Sequence, residues 1–237
     1  MNNLYLHTRA TDDPHVFYTF WSTGLMTKGK VVTRVSVSDD RGIAAELSAA
    51  QYLLEDRNVC GHNKAGSGLR VFVTFGNIRK LLRAGSDKSH LAPYASFLRT
   101  RFLGAEVVVE NRKIDWVDAK CEERVDQIDV VAPKAPLIEV QGFGQVELTS
   151  HAVEQYVERF GCNPERAWHY LRAIAREVKP LTQVDRSAFH DIKHRQQGGK
   201  FVLHRDKSLI MVITPPEKLN SHPRIVTIYR AARKATV

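Results

Sequence analysis

The chain has 237 residues, of which 43% are hydrophobic, and it carries a formal net charge of +9. This composition is typical of one large or two small globular domains and excludes a disordered chain. No apolar run approaches the roughly 18 residues of a membrane-spanning helix, and the first residues lack the pattern of a signal peptide. We therefore expect a cytoplasmic protein without a membrane partner.

The positive charge is concentrated in the C-terminal part. Residues 133–237 hold 17 Lys and Arg against 10 Asp and Glu, and six of the ten histidines. Such a field favours a polyanionic partner, most simply RNA or DNA. A basic surface that only contacts solvent is the alternative.

The first half of the chain alternates between strand and helix patterns. β-Branched and aromatic residues predict three strands, at residues 4–9, 15–22 and 31–38. Apolar residues at every third or fourth position predict a helix from Ala44 to Glu55. The later predictions are a strand at residues 69–75, helices at 77–82 and 94–101, a strand at 105–110 and a polar helix from Asp118 to Ile128.

The helix and strand patterns stop near Pro133 and Pro136, and these two prolines predict a linker over residues 131–148. Thr149 and Asn163 are residues that cap helices, and they predict helices that end near Phe160 and Val178. Three strands follow, at residues 201–204, 209–214 and 225–229. We therefore expect an α/β domain over residues 1–130 and a small α+β domain over 149–237, with two helices on an antiparallel sheet.

The N-terminal pattern resembles the ribonuclease H-like fold, a mixed sheet with helices. The resemblance depends on the element order and on two segments, Ala45-Glu46-Leu47-Ser48-Ala49-Ala50 and Asp118-Ala119-Lys120-Cys121-Glu122-Glu123. It implies a nucleic-acid-binding domain in which Glu46 and Glu122 belong to the acidic site.

The acidic site of such a domain is degenerate in this sequence. The first predicted strand has no acid in its middle, and Gly76 stands where the family has an aspartate. One or two carboxylates cannot hold the two Mg²⁺ ions that this chemistry needs. We therefore expect no metal and no cofactor, and a domain that docks a duplex without cleaving it. A structural or partner-binding domain is an alternative, and Glu46 is alternatively a solvated carboxylate near a helix N-terminus.

The C-terminal pattern resembles the RelE/barnase/colicin-like ribonucleases, a toxin-like group. The resemblance is carried by His151-Ala152, by Glu158-Arg159-Phe160-Gly161 and by the strands at residues 200–204 and 226–230. It implies metal-independent RNA cleavage, in which the ribose 2′-OH attacks the adjacent phosphate.

The expected chemistry needs an acid, a base and cations for the phosphate. His151 and His204 are the acid and base candidates, and Arg159 and Lys200 are the phosphate contacts. Thr227 and Tyr229 are two apart on a strand and face the same side. Further nucleic-acid-binding candidates are Lys193, His194, Arg195, Arg205 and Arg230.

Each of these residues also has a purely structural interpretation. His151 is otherwise a plain residue at a helix start, His204 a surface residue of a strand, and Arg159 a packing partner of Tyr156. Trp168, Tyr170 and Leu171 are more typical of a core than of a base-stacking platform. His190 and His194 form a metal pair only with a third ligand, which the spacing does not supply. The three scattered cysteines, at positions 60, 121 and 162, indicate free thiols.

The sequence thus predicts an RNA-binding protein that is a metal-independent endoribonuclease, with structured or duplex RNA as its partner. The alternative is a non-catalytic protein that binds nucleic acid, inhibits a nuclease or contacts a host protein.

Overall fold

The computed structural model describes residues 1–24, 27–61, 65–83, 88–110, 114–180, 198–204, 208–217 and 221–230. The chain divides into two compact units, unit 1 (Met1–Lys134) and unit 2 (Ala135–Val237). Each unit contains one six-stranded mixed sheet with helices, so the architecture is α/β in general. None of the described helices has the length and apolar character to cross a membrane.

The sheet of unit 1 has the strand order β5-β4-β1-β2-β3-β6. Strands β1 to β3 pair antiparallel, β4 and β5 continue parallel to β1, and β6 lies parallel to β3. The strands are β1 (Asn2–Ala10), β2 (Val16–Ser22), β3 (Lys28–Val35), β4 (Leu69–Val73), β5 (Glu106–Val109) and β6 (Val125–Val130). The third strand therefore begins and ends three residues earlier than the sequence predicted.

The helices of unit 1 pack into one core with one face of this sheet. They are α1 (Arg41–Gln51), which continues as a π-helical turn (Tyr52–Asp56), α2 (Asn77–Leu81) and α3 (Ser96–Arg99). Leu4 and Leu6 of β1, Leu47 of α1 and Phe97 of α3 belong to the same buried cluster. The alternation of buried Leu4, Leu6 and Thr8 with more accessible residues is the period of a half-buried strand.

The helix predicted from Asp118 to Ile128 is wrong. Asp118 caps a short 3₁₀ helix (Ala119–Glu123) by accepting a hydrogen bond from the Lys120 amide, and the chain then extends as β6. Residues 125–130 read Val-Asp-Gln-Ile-Asp-Val, whose burial follows a period of two. That period fits a strand at the sheet edge, where the main chain pairs with β3.

The sheet of unit 2 has the order β7-β8-β12-β11-β10-β9. Its strands are β7 (Leu137–Val140), β8 (Gly144–Leu148), β9 (Lys179–Pro180), β10 (Lys200–His204), β11 (Leu209–Thr214) and β12 (Arg224–Arg230). The sheet is mixed rather than antiparallel, because β8 and β12 run parallel. Residues 137–148, which we expected within a linker, form the β7–β8 hairpin that extends the sheet.

The two helices predicted for unit 2 are present as α4 (Ser150–Phe160) and α5 (Pro164–Ala175). Both caps are confirmed: the Thr149 hydroxyl accepts from the Ala152 amide, and the Asn163 side chain accepts from the Glu165 amide. Trp168 and Leu171 are buried, as predicted for core residues, whereas Tyr170 is 45% exposed.

Candidate functional site

The Glu46 carboxyl is completely buried between α1 and the sheet of unit 1. Oxygen Oε1 accepts a hydrogen bond of 2.6 Å from the Thr74 amide. Within the described part of the chain, Oε2 is buried without a hydrogen-bond partner. Thr8 and Thr19, whose hydroxyls are 3.0 Å apart, are buried on β1 and β2. The alternative of a solvated carboxylate is therefore wrong, because α1 packs this residue against the strands.

Burial raises the pKa of Glu46 to about 7, because the surroundings disfavour the charged form. The Thr74 amide and the hydroxyls of Thr74 and Thr8 act in the opposite direction, since they stabilise the carboxylate. Around neutral pH the group is therefore divided between its protonated and ionised forms.

Glu122 lies on the other side of the sheet from Glu46. Its carboxylate pairs with Lys30 of β3. Lys30 is in register with Phe20, and Phe20 with His7, so these side chains share one face. Thr8, the next residue on β1, points to the opposite face. The structure thus does not bring Glu46 and Glu122 together, because the sheet separates them. In the described ranges, no three His, Cys, Asp or Glu residues are placed to hold a metal ion.

An arginine–aromatic cluster lies where α4 meets the end of β12; it consists of Tyr156, Arg159, Phe160, Tyr229 and Arg230. The Arg159 guanidinium lies 4.7 Å from the Tyr229 ring centre, and Arg230 lies 5.1 Å from that of Phe160. The rings of Tyr156 and Phe160 stack at 5.1 Å. Arg159 also donates a 2.5 Å hydrogen bond to the Ile228 carbonyl. Helix α4 and strand β12 are therefore joined by cation–aromatic contacts.

Tyr156 anchors this cluster as a neutral side chain. Burial raises its pKa to about 12, and Cys162 and Tyr170 act in the same direction. Tyr156 is buried, whereas Arg159, Phe160 and Tyr229 are half-buried and Arg230 is exposed. The cluster thus has a fixed base and an accessible cationic and aromatic surface.

The structure places His204 and the Thr227–Tyr229 pair on opposite faces of the sheet. Leu203, Ile210 and Tyr229 are in register across three strands, and Tyr229 packs on an apolar cluster with Leu203 and Ile210. Thr227 is two residues from Tyr229 on the same strand, and it is almost fully buried. His204, one residue after Leu203, therefore points away from both.

His204 is buried rather than on the strand surface. Its Nε2 lies 3.3 Å from the Glu177 carboxylate. It is in register with Leu209, which is in register with Arg230, so His204 and Arg230 share one face at the same end of the sheet. Two strand spacings separate them, about 10 Å.

His151 and Lys200 lie at the opposite end of unit 2. Thr149, just before α4, donates a hydrogen bond to the Ile225 carbonyl at the start of β12, so exposed His151 in the first turn of α4 lies near that level. Ile225 and Arg230 are five residues apart on β12, about 16 Å. Lys200 pairs with Ile213, which pairs with Ile225. The two predicted histidines are therefore not brought together.

The predicted loop around His190, with Lys193, His194 and Arg195, lies outside the described residues, as does Arg205. Their predicted roles in nucleic-acid binding stay predictions.

Sequence reasoning did not select Phe160 or Glu177 as site residues. Phe160 is four residues after Tyr156, and this spacing places two aromatic rings on the same helix face. The four-residue spacing in the sequence therefore indicates this aromatic pair. Glu177 meets His204 only because β10 returns beside the end of α5, and no local pattern indicates that contact.

Comparison with known protein families, with curated proteins and with solved structures found no match to this chain.

Proposed function

We propose that unit 2 binds RNA through the arginine–aromatic cluster. The observation that carries this proposal is the position of Arg159 and Arg230 against aromatic rings. In the described part of the chain, no carboxylate lies within ion-pair distance of either guanidinium. By contrast, Arg224 of the same strand pairs with Glu147 and Glu217.

The chemistry of the cluster suits a single-stranded sugar–phosphate chain. A guanidinium donates paired hydrogen bonds to phosphate oxygens, and an aromatic ring stacks on any base. The excess of Lys and Arg over residues 133–237 adds a long-range attraction for polyanions. These three features together support RNA or DNA over a small anion.

Metal-independent cleavage of the bound RNA is the second candidate function. It is favoured by the His204–Glu177 contact, because a carboxylate orients an imidazole that acts as a base. Arg230, on the same face and at the same end of the sheet, would stabilise charge on the phosphate. His151 lies at the other end, so this proposal leaves the acid role to a different group.

We also propose that unit 1 docks nucleic acid without metal chemistry, as a degenerate ribonuclease H-like domain. The strand order supports this proposal, since three antiparallel strands are followed by α1 and by two strands parallel to β1. The separation of Glu46 from Glu122 is consistent with a domain that does not hold two metal ions.

The binding proposal is tested by titrating labelled single-stranded RNA with the full-length protein at several salt concentrations. Arg230→Ala should weaken binding and lower the magnitude of the salt slope by about 0.7, the value for one phosphate contact on a single strand. Arg172→Ala is the matched control, because Arg172 is exposed on α5, outside the arginine–aromatic cluster. Equal losses in the two variants, or no binding by the wild type, would contradict the proposal.

Cleavage is tested by incubating the protein with RNA and with DNA of the same sequence in EDTA. Products that end in a 2′,3′-cyclic phosphate, formed from RNA alone and lost in His204→Ala, support the second candidate. Intact RNA at saturating protein leaves unit 2 as a binding module.

A further inference from the structure

Helices α1 to α3 pack against one face of the sheet of unit 1. On the other face, Trp116 and the 3₁₀ helix (Ala119–Glu123) lie over the part near Tyr5 and Lys30, and Arg9 and Tyr18 are exposed. Leu4, Leu6 and Thr8 point into the core, so Tyr5, His7 and Arg9 of β1 point to the other face. The strand register adds Phe20 and Tyr18 of β2, opposite His7 and Arg9, and then Lys30 and Val32 of β3. We call this the open sheet face.

Aromatic rings lie in neighbouring strands of the open sheet face. The rings of Tyr5 and Phe72 stack with centres 4.4 Å apart, and Trp116 lies 6.5 Å from Tyr5. Farther along the strands, Tyr18 and Phe20 are two residues apart on β2. Tyr18 is 36% exposed, so part of its ring faces solvent.

Cations cover two of these rings. Arg9 lies 5.5 Å from the centre of Phe20, and Lys30 lies 4.6 Å from that of Tyr18. Lys30 is paired with Glu122 and Arg34 with Asp13. Arg9 is different, because its Nε donates a 2.8 Å hydrogen bond to the Nε2 atom of His7.

The His7–Arg9 contact leaves a positive charge on the open sheet face. Burial lowers the pKa of His7, and the Arg9 charge lowers it further, so the imidazole is held neutral as an acceptor. In the described ranges, no carboxylate lies within ion-pair distance of Arg9. An exposed guanidinium held by a neutral imidazole over a ring is available to a phosphate.

We propose that the open sheet face binds a single-stranded segment of nucleic acid, with a base on Tyr18 and a phosphate on Arg9. An exposed aromatic ring and an exposed cation beside it are the requirements for single-strand binding, since each base presents a flat face to a ring. Tyr18 and Arg9 are both exposed and lie in register on β2 and β1, whereas Phe20 is buried beneath Arg9. A duplex does not suit this face, because its bases are already stacked. This inference deepens the docking role proposed for unit 1 and uses no residue of the arginine–aromatic cluster.

The test uses the full-length protein and fluorescent oligouridylate and oligothymidylate of equal length. Arg9→Ala should weaken binding of both oligonucleotides and reduce the salt slope by about 0.7. Tyr18→Thr, which removes the ring and keeps a residue that favours strands, should weaken binding about 5-fold or more. Arg79→Ala is the control for charge, because Arg79 is exposed on α2.

A second readout locates the ligand on this face. Trp116 contacts Tyr5, so binding should change its fluorescence, and Trp116→Phe should remove that change. The inference would be overturned if Arg9→Ala and Tyr18→Thr bound both oligonucleotides as tightly as the wild type and the Arg79→Ala control do. If Arg230→Ala still weakens binding in that case, the proposed function of unit 2 stands and only the open sheet face fails. If the wild type binds neither oligonucleotide, both proposals fail.

Discussion

Replacing Glu46 with glutamine should make unit 1 more stable at alkaline pH. The glutamine amide has the shape of the carboxyl group, its oxygen can accept from the Thr74 amide, and it never ionises. The wild-type carboxyl must ionise in a fully buried position as the pH rises. The substitution therefore removes a charge without leaving a cavity.

The magnitude follows from the pKa of Glu46, which is about 7 in the folded protein against an ordinary value of 4.5 for a glutamate. A raised carboxyl pKa means that the folded state binds the proton more tightly than the unfolded state. The stabilisation is complete below pH 4.5 and is lost as the pH rises to about 7. Each unit of difference between the folded and unfolded pKa corresponds to about 1.4 kcal/mol. The free energy of unfolding therefore falls by about 3 kcal/mol between pH 4.5 and pH values above 7. Glu46→Gln should thus gain up to that amount at pH 8.5 and little at pH 4.5.

The assay is urea unfolding at pH 5, 7 and 8.5, followed by the fluorescence of Trp21 in the core of unit 1. The chain has three tryptophans, so a Trp116→Phe, Trp168→Phe background leaves Trp21 as the reporter. Glu122→Gln is the control, because Glu122 is exposed and its ion pair contributes at most about 1 kcal/mol. A Glu46→Gln protein that shows the same pH dependence as its parent would refute the reasoning.

Three further predictions follow from local geometry. Burial raises the pKa of Cys60 to about 11, so its initial alkylation rate at pH 8, followed by mass spectrometry, should be roughly 100-fold below that of a thiol with pKa 9; modification at the ordinary rate would contradict this. Asn163→Ala removes the cap of α5 and should lower the free energy of unfolding of unit 2 by about 1 kcal/mol, measured by urea denaturation; an unchanged midpoint would contradict the role of the cap. Gly29→Ala would place a Cβ 2.7 Å from the Arg124 carbonyl and should cost about 1–3 kcal/mol in thermal unfolding of unit 1. Gly76→Ala, whose nearest neighbour would be 3.9 Å away, should be tolerated, so equal losses in the two variants would contradict the packing argument.

Local chemistry predicted the elements whose determinants are close in sequence. Thr149 and Asn163 were recognised as caps because a cap needs only a side chain and an amide two or three residues later. The first three strands were found because their β-branched and aromatic residues are contiguous. Strand β6 was mistaken for a helix, since its pairing partner β3 lies 95 residues earlier in the chain.

The site depends more strongly on distant contacts. The burial of Glu46 results from the packing of α1 over the strands that carry Thr8 and Thr19 and beside Thr74, which follows β4, and no local pattern predicts that environment. The face to which His204 points is set by its register with β11, and a shift of one residue would reverse it. Arg159 was selected from the sequence as a phosphate contact, which stays a prediction, and its contact with Tyr229 requires α4 to lie against β12.

The central claim is that RNA binds at the arginine–aromatic cluster of unit 2. Photo-crosslinking of RNA that contains 5-bromouridine, followed by mapping of the modified peptides, tests it most directly. We expect adducts at Phe160 or Tyr229, the half-buried rings beside Arg230 and Arg159. If RNA is bound at saturation and the crosslinked peptides of unit 2 contain neither modified Phe160 nor modified Tyr229, binding at the arginine–aromatic cluster is contradicted.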